Sequence, residues 1–177
     1  MEGMSMIKGT RATALIGLAL LMAGTVPAMI AGMPVAAAQE KRKPPYFASI
    51  AAGQARMRTG PARTYPASWL YRRADLPVRV VAIYKDWRRV EDPDGETGWM
   101  LANLLHERRT ALVRSAAPAD LRDRPSIAGR VVWRAAPGVV GRLSQCGDGW
   151  CRFDVRGQAG YAAIGDLWGV DAGEILP

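Results

Sequence analysis

Trp87 to Met100 reads WRRVEDPDGETGWM, and Trp150 to Ala163 reads WCRFDVRGQAGYAA. The two stretches are one pattern written twice. Trp87 matches Trp150, Gly95 matches Gly157, Gly98-Trp99 matches Gly160-Tyr161, and further on Leu105 matches Leu167. Upstream, Met57-Arg58 and Pro61 match Leu121-Arg122 and Pro125. The offset drifts from 64 to 62 residues along the pattern, as expected of a duplicated unit that has lost single loop residues. A period of about 60 residues exceeds that of the usual solenoid repeats, so each copy is long enough to close its own core.

Within the first copy, Val78 to Tyr84 is β-branched and aromatic, which predicts a strand. Lys85-Asp86 turns the chain and Trp87 to Glu91 returns beside it. Asp92-Pro93-Asp94-Gly95 is a second turn, since Pro and Gly supply the dihedrals of a reversal, and Gly98 to Met100 opens another strand. The second copy repeats the order with Val139 to Cys146, a Gly147-Asp148-Gly149 turn, Trp150 to Val155, a turn at Arg156 to Gln158, and Gly160 to Ala162. Thr110 to Val113 suits a first strand of the second copy. No stretch sustains a helical period. Short strands with frequent turns predict an all-β chain of two small antiparallel barrels or sandwiches.

The ends carry different signals. Lys8 and Arg11 precede an uncharged run from Ala12 to Ala38 that closes on three alanines before Gln39. This suits a cleaved signal peptide over 1–38; the alternative is an uncleaved anchor, which alone would bring the chain into contact with a membrane. Either reading exports the remainder to the periplasm or beyond. Residues 39–45 (QEKRKPP) form a charged linker, 46–108 and 110–170 the two copies, and 171–177 a tail. Domains of this size are marginal unless packed on each other or stapled, and almost no linker separates the two copies.

Chemistry-bearing residues are few. Cys146 and Cys151 are the two cysteines and His106 the one histidine, too few for a zinc site, and no cofactor is expected. Four residues in a Gly-Asp-Gly turn separate the cysteines, which favours a structural disulfide across a hairpin over a redox pair. Ser49, Ser68, Ser115, Ser126 and Ser144 are scattered and no G-x-S-x-G elbow accompanies them. His106, in a charged boundary, reads as a solvated residue. No catalytic constellation is legible, and the chain reads as a non-enzyme.

The motifs taken together carry a resemblance. Met57-Arg58-Thr59-Gly60-Pro61, Asp86-Trp87-Arg88-Arg89-Val90, Asp94-Gly95 and Gly98-Trp99 resemble the bacterial SH3-like domain, over about Tyr46 to Val170. The second copy departs from the pattern, with Arg124 where the motif has glycine and Tyr161 for the tryptophan. The resemblance implies a five- or six-stranded barrel that serves as a binding module, often attached to cell-wall metabolism.

Charge and aromatics suggest where binding would sit. From Glu40 to Arg109 there are 14 basic and 8 acidic residues, and from Thr110 to the end 8 and 7. The excess suits solubility, or attraction to anionic envelope polymers; nucleic acid is not an expected partner of an exported chain. Trp87, Trp99 and Trp150 are expected to pack on their barrels, with Gly95, Gly98, Gly157, Gly160 and Tyr161 as barrel and turn positions. Tyr65 and Trp69 are expected to show a face outward, either to a ligand or to the other copy. Arg58, Arg63, Tyr65, Trp69 and Arg72, with the groove between the copies, form the candidate site for a peptide or cell-wall glycopeptide. The alternative is a scaffold that docks another envelope protein.

A six-residue disulfide loop stabilises by about 2 kcal/mol through chain entropy. Cys146→Ser is therefore expected to lower the melting temperature and leave binding intact. Loss of binding at an unchanged melting point would refute the structural assignment.

Overall fold

The computed structural model describes residues 42–177. The expected leader, 1–38, and the beginning of the 39–45 linker lie outside the described residues. The first sheet comprises β1 (Tyr46–Ile50), β2 (Ala55–Arg58), β3 (Ala67–Tyr71), β4 (Pro77–Tyr84), β5 (Trp87–Glu91), β6 (Thr97–Leu101) and β7 (Leu105–His106), in the order β3-β2-β6-β5-β4-β1-β7. The second comprises β8 (Thr110–Val113), β9 (Ala119–Arg122), β10 (Val131–Ala135), β11 (Val140–Gly147), β12 (Trp150–Val155), β13 (Gln158–Ala163) and β14 (Leu167–Trp168), in the order β10-β9-β13-β12-β11-β8-β14. Strand for strand the orders are the same. Each sheet curls round its own core as a small barrel, and the duplication read in the sequence is a duplication of fold. Each has seven strands rather than five or six, because β1 and β8 add to the outside of the main hairpin and a two-residue strand adds beyond them.

The local chemistry explains the hairpins. Trp87↔Tyr84 closes the first around Lys85-Asp86, and Lys85 takes a left-handed backbone, φ 48°. Asp148 and Gly149, φ 50° and 81°, turn the second. Gly95 and Gly157 occupy matching left-handed turn positions at φ 87° and 90°, where a side chain is strained. Period-two alternation then sends Val78, Val80, Val90, Met57 and Met100 into the first core, and Leu121, Leu143, Phe153 and Ala162 into the second.

Register makes one compensation visible. Val78 and Val90 of the first core correspond to Gly141 and Phe153 of the second, since Ala48↔Val78 and Val80↔Val90 answer to Ala111↔Gly141 and Leu143↔Phe153. A methyl on Gly141 would lie 2.7 Å from Phe153 Cζ. One barrel divides its volume between two valines, and the other gives it to a phenylalanine over a glycine.

The barrels meet without a linker. Phe47 on the outer face of β1 packs edge-on against Trp168 of β14, with ring centroids 5.3 Å apart. The guanidiniums of Arg79 and Arg109 each lie 5.8 Å from the Phe47 centroid. Arg109 also donates to Gly169 O at 2.8 Å and pairs with Glu174. Burial pushes the Glu174 carboxyl up, but hydrogen bonds from Arg109 and from the Asp171 backbone, with the Arg109 charge, outweigh it and hold the group below the usual range. The last residues, 171–177, dock on the second barrel. Leu176 N donates to Cys146 O, and Gln145 N donates to Pro177 O. The Cys146–Cys151 disulfide ties β11 to β12 just beneath them.

Gly141→Val alone should overpack the second core and destabilise by about 1–3 kcal/mol. Adding Phe153→Val should recover part of that loss, read as a coupling energy in a denaturant double-mutant cycle. Strictly additive effects would show that the pair does not share one space.

Candidate functional site

Along β5 and β6, Val90, Gly98 and Met100 point inward, so Trp87, Arg89, Trp99 and Leu101 share the outer face. Arg58 of β2 lies opposite Trp99 on the same face, with Arg56 two residues before it. The tryptophans therefore cover the barrel from outside rather than filling it; the interior across from Val90 belongs to Gly98, with no room for an indole. Trp87 is nonetheless only 8% exposed. It forms, with Leu101 and Leu104, the apolar wall of a pocket of about 200 Å³ whose polar lining is Gln54, Arg56, Arg58 and Arg63. Three arginines beside an indole make a site for an anionic group attached to an apolar body.

Two of the five expected site residues, Arg58 and Arg63, line this pocket. Arg58 is also structural, because its Nη1 donates to Tyr65 O at 2.6 Å and holds the connection between β2 and β3. In the second barrel Arg122 Nη1 donates to Gly129 O at 2.7 Å, the same bond seven residues along. Tyr65 is 46% exposed, its ring lying on Gly60, where a methyl would meet ring atoms at 2.6 Å. Trp69 is 50% exposed and its Nε1 donates to Glu96 Oε2 at 3.4 Å. Tyr65 and Trp69 stand outside the pocket lining, and so does Arg72, exposed just past the end of β3. Gln54, Arg56, Trp87, Leu101 and Leu104 were not expected in the site. Arg56 was findable, since it alternates with Arg58 on a strand.

Beneath Trp69 the support is explicit. Tyr71 OH donates to Asp92 Oδ2 at 2.7 Å. Asp92 Oδ1 accepts from the backbone N–H groups of Asp94 and Glu96 at 3.0 and 2.9 Å and so caps its own turn. Burial, the Asp92 hydrogen bond and the nearby carboxylates of Asp92, Glu96 and Asp94 push the Tyr71 hydroxyl well above its ordinary value.

One serine does approach the histidine. Pairing of β7 with β1 places Ser49 Oγ 2.9 Å from His106 Nδ1, while His106 Nε2 lies 3.2 Å from Asp75 Oδ1. His106, expected to be solvated, is instead a strut between β1 and the loop before β4. Its 57-residue separation from Ser49 hid the contact from a linear reading. Ser49 is fully buried and its hydroxyl donates to Arg108 O at 2.5 Å, so the oxygen is sealed from any substrate. In the second barrel the matching residues are Leu112, Trp168 and Gly138.

The groove between the copies is a second concavity, about 980 Å³, that shares no lining residue with the first and contains none of the five expected site residues.

The family model for the bacterial SH3 domain matches residues 51–107 and again residues 115–169. Among solved structures the chain is similar to NlpC1 from Trichomonas vaginalis, at 16% identity over 73% of this chain and 48% of that one, with a TM-score of 0.33. It is also similar to an NlpC/P60 family protein from Bacillus cereus ATCC 10987, at 16% identity over 69% of this chain and 55% of that one, with a TM-score of 0.31. The chain spans about half the length of these structures. No curated protein matches it.

Tyr71 yields a pH test. Above pH 10, its ordinary value, an unfolded tyrosine loses its proton while the folded one keeps it. The stabilisation is thus full below pH 10 and is lost as pH rises beyond it. Tyr71→Phe should cost about 1–3 kcal/mol at neutral pH by leaving Asp92 short of a donor, and should flatten the alkaline fall in stability. Equal alkaline slopes for both proteins would refute the assignment.

Proposed function

We propose, for a chain that belongs to the bacterial SH3 domain family, an exported, non-enzymatic role: the first barrel binds a peptide or peptidoglycan-derived ligand in the cell envelope. Bacterial SH3 domains are binding modules, often for cell-wall material. The observation that carries the reading is the pocket on the first barrel, where Arg56, Arg58 and Arg63 surround a space backed by Trp87, Leu101 and Leu104. A ligand carboxylate takes paired N–H donors from the guanidiniums, and its apolar stem lies against the indole. Tyr65 and Trp69 lie outside the pocket lining on the same barrel, and their exposed rings suit stacking on a sugar or peptide plane. Arg72 adds positive charge at the edge of the same barrel. The disulfide supports an oxidising compartment such as the periplasm.

A second reading rests on a different observation. β3 is an edge strand, and Ser68, Trp69 and Leu70 along it are exposed. Such an edge docks a partner by strand addition, which would make the chain a scaffold for another envelope protein.

Sedimentation with purified cell wall at moderate salt tests the first reading. Native protein should be retained, and an Arg63→Gln/Trp69→Ala pair should lose about tenfold or more in affinity, since hydrogen bonds to charged groups are the stronger class. Arg58→Ala is a poorer probe because Arg58 also holds Tyr65 O. No retention of native protein, or retention unaffected by the pair, would sink the reading. Recovery of one specific protein without glycan affinity would favour the edge strand.

A further inference from the structure

The concavity between the barrels draws its charge from both copies. Arg73 and Arg108 come from the first, and Arg142, Arg152 and Arg156 from the second. Two aspartates face these five arginines, and each is already engaged. Asp75 Oδ1 accepts from Arg108 Nη1 at 2.9 Å and lies 3.2 Å from His106 Nε2. Asp154 Oδ1 accepts the Gly157 N–H at 2.9 Å within its turn. Arg73 Nη1 donates to Gly138 O at 3.2 Å and spans the mouth from one barrel to the other. Among the described residues, Arg142, Arg152 and Arg156 make no ion pair. The wall between them includes Thr110, which is 3% exposed and whose Oγ1 has no hydrogen-bond partner among the described residues.

The spacing of the arginines defines the ligand chemistry. Arg142↔Asp154 and Ser144↔Arg152 flank the pair Leu143↔Phe153, whose side chains point into the core. Arg142 and Arg152 are therefore diagonal neighbours on one outer face, about 7–8 Å apart at the backbone. Two planar forks at that spacing can flank one oxyanion. A carboxylate carries a single charge on two oxygens; it cannot satisfy a cleft in which three arginines lack ion-pair partners. Phosphoryl groups bring more charge and three acceptor oxygens each. The volume, about 980 Å³, exceeds what a bare anion fills, so the natural ligand carries a body beyond its phosphates.

We propose that the inter-barrel cleft is a binding site for a diphosphate-bearing ligand, gripped by Arg142 and Arg152 and closed from the first barrel by Arg73 and Arg108. This site is separate from the first-barrel pocket and goes beyond the reading given for it. It requires both barrels, which gives the duplication a role that neither copy fills alone.

Titration of the full chain with inorganic diphosphate, followed by calorimetry and by the rise in melting temperature, tests the proposal. Succinate at matched ionic strength serves as the carboxylate control. Native protein should bind diphosphate in preference to succinate, and Arg142→Gln/Arg152→Gln should bind it at least about tenfold more weakly. Arg114→Gln, which removes an exposed arginine outside both concavities, should bind diphosphate like the native protein, which separates loss of the cleft from loss of net charge. If the strand variant melts early without ligand, Arg156→Gln, in an exposed turn, replaces it and should weaken binding in the same direction. Absence of diphosphate binding by native protein, equal binding by the cleft variants, or equal binding of succinate would each overturn the proposal.

Discussion

Each barrel closes where a glycine lies over the side chain of the next strand. A methyl at Gly98 would sit 2.5 Å from Met57 Cγ and 2.9 Å from Arg58 O; at Gly160 it would sit 2.8 Å from Leu121 Cβ and 3.1 Å from Arg122 O. Only one register pair joins β2 to β6, Arg58↔Trp99, and only one joins β9 to β13, Arg122↔Tyr161. The missing Cβ is what allows this thin seam to form, because no side chain holds the backbones apart. Everything on the outer face follows from it. The seam brings Arg56 and Arg58 to the strand pair carrying Trp87 and Leu101, and so assembles the pocket from strands far apart in sequence.

The two copies show that volume is kept by pairs of positions rather than by single ones. Gly60 lies under the ring of Tyr65; in the second barrel Arg124 replaces the glycine, and Gly129 stands where Tyr65 would be. A methyl on Gly129 would lie 2.9 Å from Arg124 O, 3.0 Å from Ser126 O and 3.1 Å from Arg124 Cγ, so the turn backbone and the arginine stem together close over this glycine, where at Gly60 the tyrosine ring does so. The departure at Arg124 thus accompanies a glycine at the position of Tyr65, large and small residues having changed places along the turn. Gly141 with Phe153 repeats the logic inside the core. A contact of fixed volume tolerates either order, as close packing requires. The exchange still changes the surface, since the first barrel alone displays a tyrosine beside its arginine pocket.

How much was legible in the sequence depends on how far apart the interacting residues lie. The strands Trp87 to Glu91 and Trp150 to Val155 and their turns follow from local alternation and from residues that accept left-handed backbone. The family pattern extended this to the barrel. The partners of His106 were not legible, because pairing of β7 with β1 crosses the whole copy. Nor was the side of the sheet on which Trp87 lies: alternation says which residues share a face, but not which face a barrel turns inward. Gly98 decides that, and its close approach to Met57 is a tertiary fact. Arg72 was grouped with Arg58 and Arg63 through proximity along the chain, and β3 carries it away from the pocket they share. The excess of basic residues in the first copy likewise gave no hint that three arginines of the nearly neutral second copy face the groove.

The junction between the barrels is held by charge as well as by area. Arg109, at the step from one copy to the other, touches Phe47 on one side and reaches Gly169 O and Glu174 on the other. Its partner Glu174 belongs to the docked end of the chain, whose Leu176 binds the backbone beside the disulfide. Segment 171–177 is therefore fastened to the step between the two copies. Gly169, φ 115°, fits because any Cβ there would lie 2.6 Å from Thr110 O and 3.1 Å from Pro77 Cβ. A bulkier residue at that position would push β14 from β8 and break the Phe47–Trp168 contact with it. Thr110, whose carbonyl faces Gly169, also lines the groove, so the close approach at Gly169 reaches the groove wall through that residue.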